Sequence, residues 1–222
     1  MNPIRSSPLL ACLTGCLLAI LSASLAGCST AYYATWEKLG YYKRDLLKER
    51  VVEARNEQQA ASEQFKDALT KLKEISHFDG GNLEKTYRQL QSEFDDSQAR
   101  ADAVTKRIRS METVAQDLFT EWEKEIGQIS TPSMASASRQ KLRETQARYQ
   151  EMSAALRKAE ATMPPVLTQF RDYTLYLKHN LNAQAVASLK GEAMNIQTEI
   201  DRLIGEMNTS IARADAFVKT LE

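Results

Sequence analysis

The sequence predicts an all-α protein in which long antiparallel helical hairpins pack as coiled coils into an elongated bundle. Three observations favour this fold class. Apolar or small residues recur at alternating spacings of three and four in four separate runs. This spacing averages about 3.5 residues, the repeat of left-handed helix packing. Short segments containing glycine or proline separate the runs, and the 222 residues include only 8 glycines and 5 prolines, a composition typical of long helices.

The first two runs predict a hairpin over about residues 32–129. The first run lies in a helix over about 32–76 and comprises Val51, Ala54, Gln58, Ala61, Phe65, Ala68, Leu72 and Ile75. The second lies in a helix over about 83–129 and comprises Leu83, Tyr87, Leu90, Phe94, Ser97, Ala101, Val104, Ile108, Met111, Ala115, Leu118 and Trp122. Between them, Gly80 or Gly81 can end the first helix and Asn82 can cap the second. Because the loop is short and the helices have similar lengths, they should lie antiparallel.

The other two runs predict two further helices. Ser130-Thr131-Pro132-Ser133 separates them from the hairpin, because proline cannot donate into a continuing helix. The third run, in a helix over about 135–163, comprises Leu142, Thr145, Tyr149, Met152, Leu156, Ala159 and Met163. The fourth, in a helix over about 166–221, comprises Leu189, Ala193, Ile196, Ile200, Leu203, Met207, Ser210, Ala214, Phe217 and Leu221. Pro164 and Pro165 either start the last helix or kink one continuous helix.

The N-terminal residues predict a lipoprotein signal peptide over 1–27. Arg5 precedes an apolar run at residues 9–26, which ends in the lipobox Leu25-Ala26-Gly27-Cys28. We therefore expect Cys28 to be the lipid attachment site, with residues 28–222 forming a single helical domain held to the membrane by acyl chains. Ser29 stands where aspartate would retain the protein at the inner membrane. In a two-membrane bacterium, this favours the periplasmic face of the outer membrane.

Composition and motifs weigh against several classes of function. The 29 basic residues balance the 29 acidic ones, so no basic excess suggests nucleic-acid binding. The only histidines, His77 and His179, have no metal-ligand neighbours at a suitable spacing, which argues against a metal site. The chain has no nucleophile motif and no phosphate-binding glycine loop. We therefore expect no catalytic residues, no cofactor and no enzymatic activity.

The candidate interaction residues are Lys178, His179, Asn180 and Asn182. They follow a segment crowded with large side chains, namely Phe170, Tyr173, Tyr176 and Leu177. Such a mixture suits a helix that crosses its neighbours out of register, and it also suits a partner site. We expect Lys178, His179 or Asn180 to reach acidic groups on the first two helices, in a structural role.

Several segments together resemble the domain-of-unknown-function 2959 family of bacterial lipoproteins. They include Phe78-Asp79-Gly80-Gly81-Asn82-Leu83, Asp117-Leu118-Phe119, Glu121-Trp122-Glu123 and Leu177-Lys178-His179-Asn180-Leu181-Asn182-Ala183, of which the first and the last are specific. The resemblance covers nearly all of the chain after the signal peptide. It implies an all-helical envelope lipoprotein containing coiled coils, and it brings no catalytic residues.

Three functions remain as alternatives. The leading hypothesis is a non-enzymatic cell-envelope lipoprotein with a structural or protein-interaction role, through an envelope partner or through self-association. The second is a membrane-associated helical remodelling or stress protein, which would require a basic stripe that the balanced charge does not favour. The third is a small-ligand-binding module at residues 164–183, which would require a pocket with convergent polar groups.

Overall fold

The computed structural model describes residues 43–76 and 82–221, which form four helices and no strand. The helices are α1 (Lys43–Ser76), α2 (Leu83–Ile126), α3 (Pro132–His179) and α4 (Ala183–Thr220). The chain divides into two compact units, 1–46 and 47–222, and the packing described below belongs to the second. The predicted all-α bundle is confirmed.

Contacts between the helices show that neighbours in sequence run antiparallel. As residue numbers rise along α2, they fall along α1. The side-chain pairs are Gln64 with Glu93 at 2.8 Å, Glu57 with Arg100 at 3.0 Å, and Glu53 with Arg107 at 3.1 Å. The last helix, α4, packs on the first, α1, where Arg55 Nε lies 3.0 Å from Asp215 Oδ1. The second unit is therefore an antiparallel four-helix bundle.

The predicted coiled-coil seam forms the core of this bundle. Of the first run, every residue from Val51 to Ala68 is fully buried, and Leu72 is 7% exposed. Of the fourth run, the members from Ile196 to Ala214 are fully buried, and Phe217 and Leu221 are nearly so. Ala, Ser and Gln at many seam positions bring the helices close together. The side chains of Ile75, Leu189 and Ala193 lie outside the described part.

At the start of both α2 and α3, the structure has residues that favour the beginning of a helix. Asn82 precedes α2 with extended backbone, and its Oδ1 accepts a hydrogen bond from the backbone N–H of Lys85 at 3.0 Å. This is the N-cap that the sequence predicts. Pro132 occupies the first turn of α3, where its missing N–H leaves no helical bond unmade. The predicted signal peptide, Cys28, and Gly80 and Gly81 lie outside the described residues.

Of the two alternatives at Pro164 and Pro165, the structure has one continuous helix, so the helix bounds expected on either side of the prolines are wrong. The helix α3 runs through both prolines to His179, so the expected helices over about 135–163 and 166–221 are replaced by Pro132–His179 and Ala183–Thr220. The prolines cannot donate to the carbonyls of Glu160 and Ala161, which costs the helix about 3 kcal/mol for each proline. Four buried side chains on the same face outweigh that cost, at roughly 1.5–3 kcal/mol each. They are Met163, Val166, Leu167 and Phe170.

Candidate functional site

The four predicted interaction residues lie together where α3 ends and α4 begins. Lys178 and His179 occupy the last turn of α3, and both are exposed. Asn180 is the C-cap, and its backbone N–H donates to the carbonyl of Leu177 at 3.2 Å. The carbonyl of Asn182 accepts from the N–H of Val186 at 3.3 Å and so begins α4. The structure therefore places these residues in a helix–helix turn, not within the helix over 166–221 that we expected.

Among the described residues, the expected contacts of Lys178, His179 and Asn180 with acidic groups on the first two helices are not found. Asn180 Nδ2 donates to the Tyr176 carbonyl of its own helix at 2.9 Å, so its side chain caps α3. Within 43–76 and 82–221, neither Lys178 nor His179 has an ion-pair partner. The positive charge of Lys178 lies near the negative end of the α3 dipole, which it stabilises locally. The side chains of Lys178 and His179 therefore face solvent.

Large apolar side chains are exposed beside these polar groups. Leu175 is 44% exposed, Tyr176 41% and Leu181 45%, whereas Leu177 between them is fully buried. We call residues 175–182 the α3–α4 apex. An apolar patch with an aromatic ring and a cation at its edge has the composition of a protein-binding surface.

A polar groove lies between α2 and α3, and sequence reasoning did not predict it. Its volume is about 570 Å³. We call it the α2–α3 groove, and its lining residues are Glu112, Gln116, Phe119, Thr120, Glu123, Gln146, Tyr149, Gln150 and Ser153. On both helices they recur at spacings of three or four, so they lie on one face of each helix. The same spacing in the sequence predicted only the buried seam.

The phenol of Tyr149 is the most perturbed group in this groove. Its ring packs edge-on against Phe119 of α2 at 5.4 Å and Phe217 of α4 at 5.9 Å between ring centroids. Its Oη is buried and makes no hydrogen bond of standard geometry. Burial raises the pKa of Tyr149 to about 12, and the nearby Ser153 hydroxyl opposes this increase only in part. The phenol is therefore neutral at physiological pH, with unused hydrogen-bonding capacity.

Arg157 of α3 holds Glu112, a lining residue of the groove on α2, through hydrogen bonds. Arg157 Nε donates to Glu112 Oε1 at 2.7 Å, its Nη2 bonds the other oxygen of Glu112, and its Nη1 donates to Glu160 at 2.7 Å. The hydrogen bond that Arg157 donates to Glu112 is the largest cause that raises the pKa of Arg157. The three side chains are part-buried, so this bidentate pair links α2 and α3 more firmly than a fully exposed ion pair would.

A second groove follows the proline pair. Its volume is about 540 Å³, and Phe94, Met163, Pro164 and Leu167 form its apolar side. Arg157, which pairs with Glu112 and Glu160, also lines this groove, together with the charged residues Asp102 and Arg171. The groove overlaps the N-terminal part of the segment 164–183 at which we had considered a ligand module.

Two further findings concern the described residues. Residues 43–76 and 82–221 contain no group of three or more His, Cys, Asp or Glu side chains that could hold a metal ion. None of the helices in these ranges includes a stretch long and apolar enough to cross a membrane.

The buried seam defines an all-α antiparallel bundle. On its surface, the apex exposes apolar side chains, and the α2–α3 groove exposes hydrogen-bonding groups. The family described as "Protein of unknown function (DUF2959)" matches residues 32–221, and the chain belongs to this family. The resemblance seen in the sequence is thereby confirmed. No curated protein and no solved structure matches the chain.

Proposed function

We propose that the protein is a non-enzymatic lipoprotein of the cell envelope with a structural or protein-interaction role. Acyl chains on Cys28 would hold it to the periplasmic face of the outer membrane, as the lipobox predicts. The helical bundle would then act by contact with an envelope protein or with a second copy of itself. The observation that carries the proposal is the α3–α4 apex, where Leu175, Tyr176 and Leu181 expose apolar surface beside Lys178.

The chemistry of the apex supports contact with a protein. Aromatic and aliphatic side chains that are surrounded by polar groups supply most of the free energy of protein association. The capping contacts of Asn180 hold this surface in place, because they fix how the chain leaves α3. A partner that carries an apolar side chain and a carboxylate would satisfy both Tyr176 and Lys178.

Crosslinking in living cells tests this role directly. A photoreactive amino acid replaces Tyr176 at the apex, and in a matched control it replaces Thr113, which is exposed on α2 far from the apex. We expect a discrete crosslinked species at position 176 that is absent at position 113. Its mass distinguishes a second copy of the chain from another protein. The same diffuse products at both positions would contradict the proposal.

The anchor is tested separately. Replacing Cys28 with serine removes the only sulfur at the lipobox, so the protein should leave the membrane fraction. Labelling with a fatty-acid analogue should mark the wild type and not the variant. A Cys28→Ser variant that remains membrane-bound, in an otherwise mature form, would refute lipid anchoring without affecting the apex.

A second candidate, a small-ligand module near residues 164–183, is favoured only by the groove beside the prolines. That groove combines an apolar side with a charged edge, which is the composition of many ligand sites. Replacing Leu167 at its apolar side would also disturb the core, because Leu167 is 5% exposed. Thr168 lines the same groove and is exposed, so replacing it would test ligand binding there without disturbing the core.

A further inference from the structure

The α2–α3 groove differs from the rest of the bundle surface in its hydrogen-bonding groups. Eight of its nine lining residues carry a polar group: three have primary amides, three have hydroxyls and two have carboxylates. Each primary amide offers two donors and an acceptor. The volume of about 570 Å³ falls within the roughly 300–1,000 Å³ of small-molecule sites. A ligand that fits this lining must itself carry many hydrogen-bonding groups.

The charge of the groove selects against anions. No lysine, arginine or histidine is among its lining residues. Arg157 occupies both carboxylate oxygens of Glu112, so that pair is neutral. The carboxylate of Glu123 is exposed and has no ion-pair partner in the part of the chain that the structure describes. The carboxylate of Glu123 would therefore repel a phosphate or another anion, whereas a hydroxyl could donate to it.

Several of the polar groups have unused hydrogen-bonding capacity. The Tyr149 Oη is buried without a hydrogen bond of standard geometry. Within the described ranges, the side-chain amides of Gln146 and Gln150 make no hydrogen bond, although many exposed glutamines elsewhere do. The amide of Gln116 donates to Thr120 Oγ1 at 3.2 Å, which leaves its carbonyl oxygen open. These groups therefore converge on the same space from two helices.

We propose that the α2–α3 groove binds a neutral, polyhydroxylated ligand of the oligosaccharide class. Sugar hydroxyls both donate and accept, as do the amides of Gln146 and Gln150. The half-buried ring of Phe119 offers an apolar surface to the C–H face of a sugar. The Tyr149 hydroxyl gains a partner when the site is filled. This activity is independent of the apex, which lies at the far end of α3.

Titration of the full chain with two neutral sugars tests the proposal. The lipidated protein is purified in a detergent that has no sugar headgroup, and the probes are maltotetraose and tetra-N-acetylchitotetraose. We expect at least one probe to bind saturably with a Kd below about 10 mM. Co-sedimentation with insoluble cell-wall glycan then distinguishes a polymeric source from a free oligosaccharide.

Three variants locate the binding. Tyr149→Phe removes the unpartnered hydroxyl and keeps the ring contacts, so it should weaken binding while leaving the melting temperature equal or higher. Gln146→Ala should weaken binding about fivefold, the effect of losing one or two hydrogen bonds to a neutral ligand. The matched control is Gln140→Ala, because Gln140 is an exposed glutamine of α3 that bonds Glu144 at 3.0 Å outside the groove. It should leave binding unchanged.

Each of the other outcomes overturns the proposal. Neither sugar binding up to about 10 mM would exclude a saccharide site of useful affinity. Equal binding by the wild type, Tyr149→Phe and Gln146→Ala would place any sugar elsewhere on the surface. Spermidine and inorganic phosphate serve as ionic probes. If spermidine binds and is lost in Gln146→Ala while neither sugar binds, the groove is a cation site.

Discussion

Among the described residues, Gln58 is the one buried side-chain amide, and replacing it tests what holds the helices in register. The residue is fully buried in the α1 seam, and its Nε2 donates to the Leu156 carbonyl of α3 at 3.1 Å. Its Oε1 accepts a hydrogen bond from the Ser210 hydroxyl of α4. One side chain therefore joins three helices at the same level of the core.

The magnitude follows from which groups would be left without partners. In Gln58→Leu, the single proton of the Ser210 hydroxyl can be donated to the Met207 carbonyl, which lies 2.8 Å away. The Leu156 carbonyl keeps the N–H of the next helical turn. The substitution nearly conserves volume, so the free energy of unfolding should change by less than about 1.5 kcal/mol. Gln58→Ala leaves a cavity at a fully buried position and should cost about 2–4 kcal/mol.

Urea denaturation of the full chain, followed by circular dichroism, measures both free energies of unfolding. The two variants should unfold with the same dependence on urea and differ by about 2 kcal/mol. If Gln58→Leu is as unstable as Gln58→Ala, the hydrogen bonds contribute more than the packed volume, and our reasoning is wrong. A Gln58→Leu variant that changes oligomeric state would show instead that the amide selects the partner helices.

Three further predictions concern other parts of the bundle. Arg157→Ala should lower the free energy of unfolding by about 1 kcal/mol, because it leaves Glu112 part-buried without its bidentate partner, and thermal unfolding in high salt should reduce that difference. The pKa of Tyr149 is about 12 in the folded protein and about 10 in the unfolded chain, so the unfolded chain loses its phenol proton first as the pH rises. From pH 10 to 12, the free energy of unfolding of the wild type should therefore fall by about 2 kcal/mol more than that of Tyr149→Phe. If the two free energies fall in parallel with pH, the phenol is not buried as described. Replacing both Pro164 and Pro165 with alanine should stabilise α3 by up to about 6 kcal/mol, about 3 kcal/mol for each proline, whereas a loss of stability would show that the bundle needs a bend there.

The heptad pattern predicted the core of the bundle residue by residue. In the second run, the positions from Val104 to Met111 are fully buried, and Ala115 is 1% exposed. Towards the ends of the same run, Tyr87, Leu118 and Trp122 are only half-buried. A periodic seam specifies which face points inward, but the depth of burial depends on how many neighbouring helices cover each level.

Two alternatives stayed open at the proline pair because the local effect of proline was not weighed against the seam. Proline removes a helical hydrogen bond, which made a helix boundary one of the two alternatives. The third run nevertheless continues from Met163 through Val166 to Phe170 at spacings of three and four, with no change of phase across the prolines. Continuity of that face predicts one helix, and burial of the face stabilises it enough to tolerate both prolines. Following the seam across Pro164 would have moved the boundary to the Asn180 turn.

The sequence singled out residues of the apex, but it predicted neither the turn that they form nor their contacts. It identified Lys178 and His179 as unusual because of their large neighbours, and the structure exposes Tyr176 and Leu181 beside them. It could not show that the polar groups face solvent, because that depends on where α3 ends. The α2–α3 groove was harder still. Its residues are ordinary helix-surface types, such as Gln146, and only the packing of α2 against α3 brings them together.

These two surfaces require different substitutions, because their side chains have different roles in folding. At the apex, Tyr176 is exposed, so Tyr176→Ala should leave the free energy of unfolding within about 0.5 kcal/mol of the wild type. In the groove, the ring of Tyr149 contacts two other helices, so Tyr149→Ala should cost about 3–5 kcal/mol and would confuse folding with binding. Tyr149→Phe keeps the ring and removes only the oxygen. If Tyr176→Ala loses the crosslink but keeps sugar binding, and Tyr149→Phe does the reverse, the two sites are independent. If either variant loses both, the apex and the groove belong to one site.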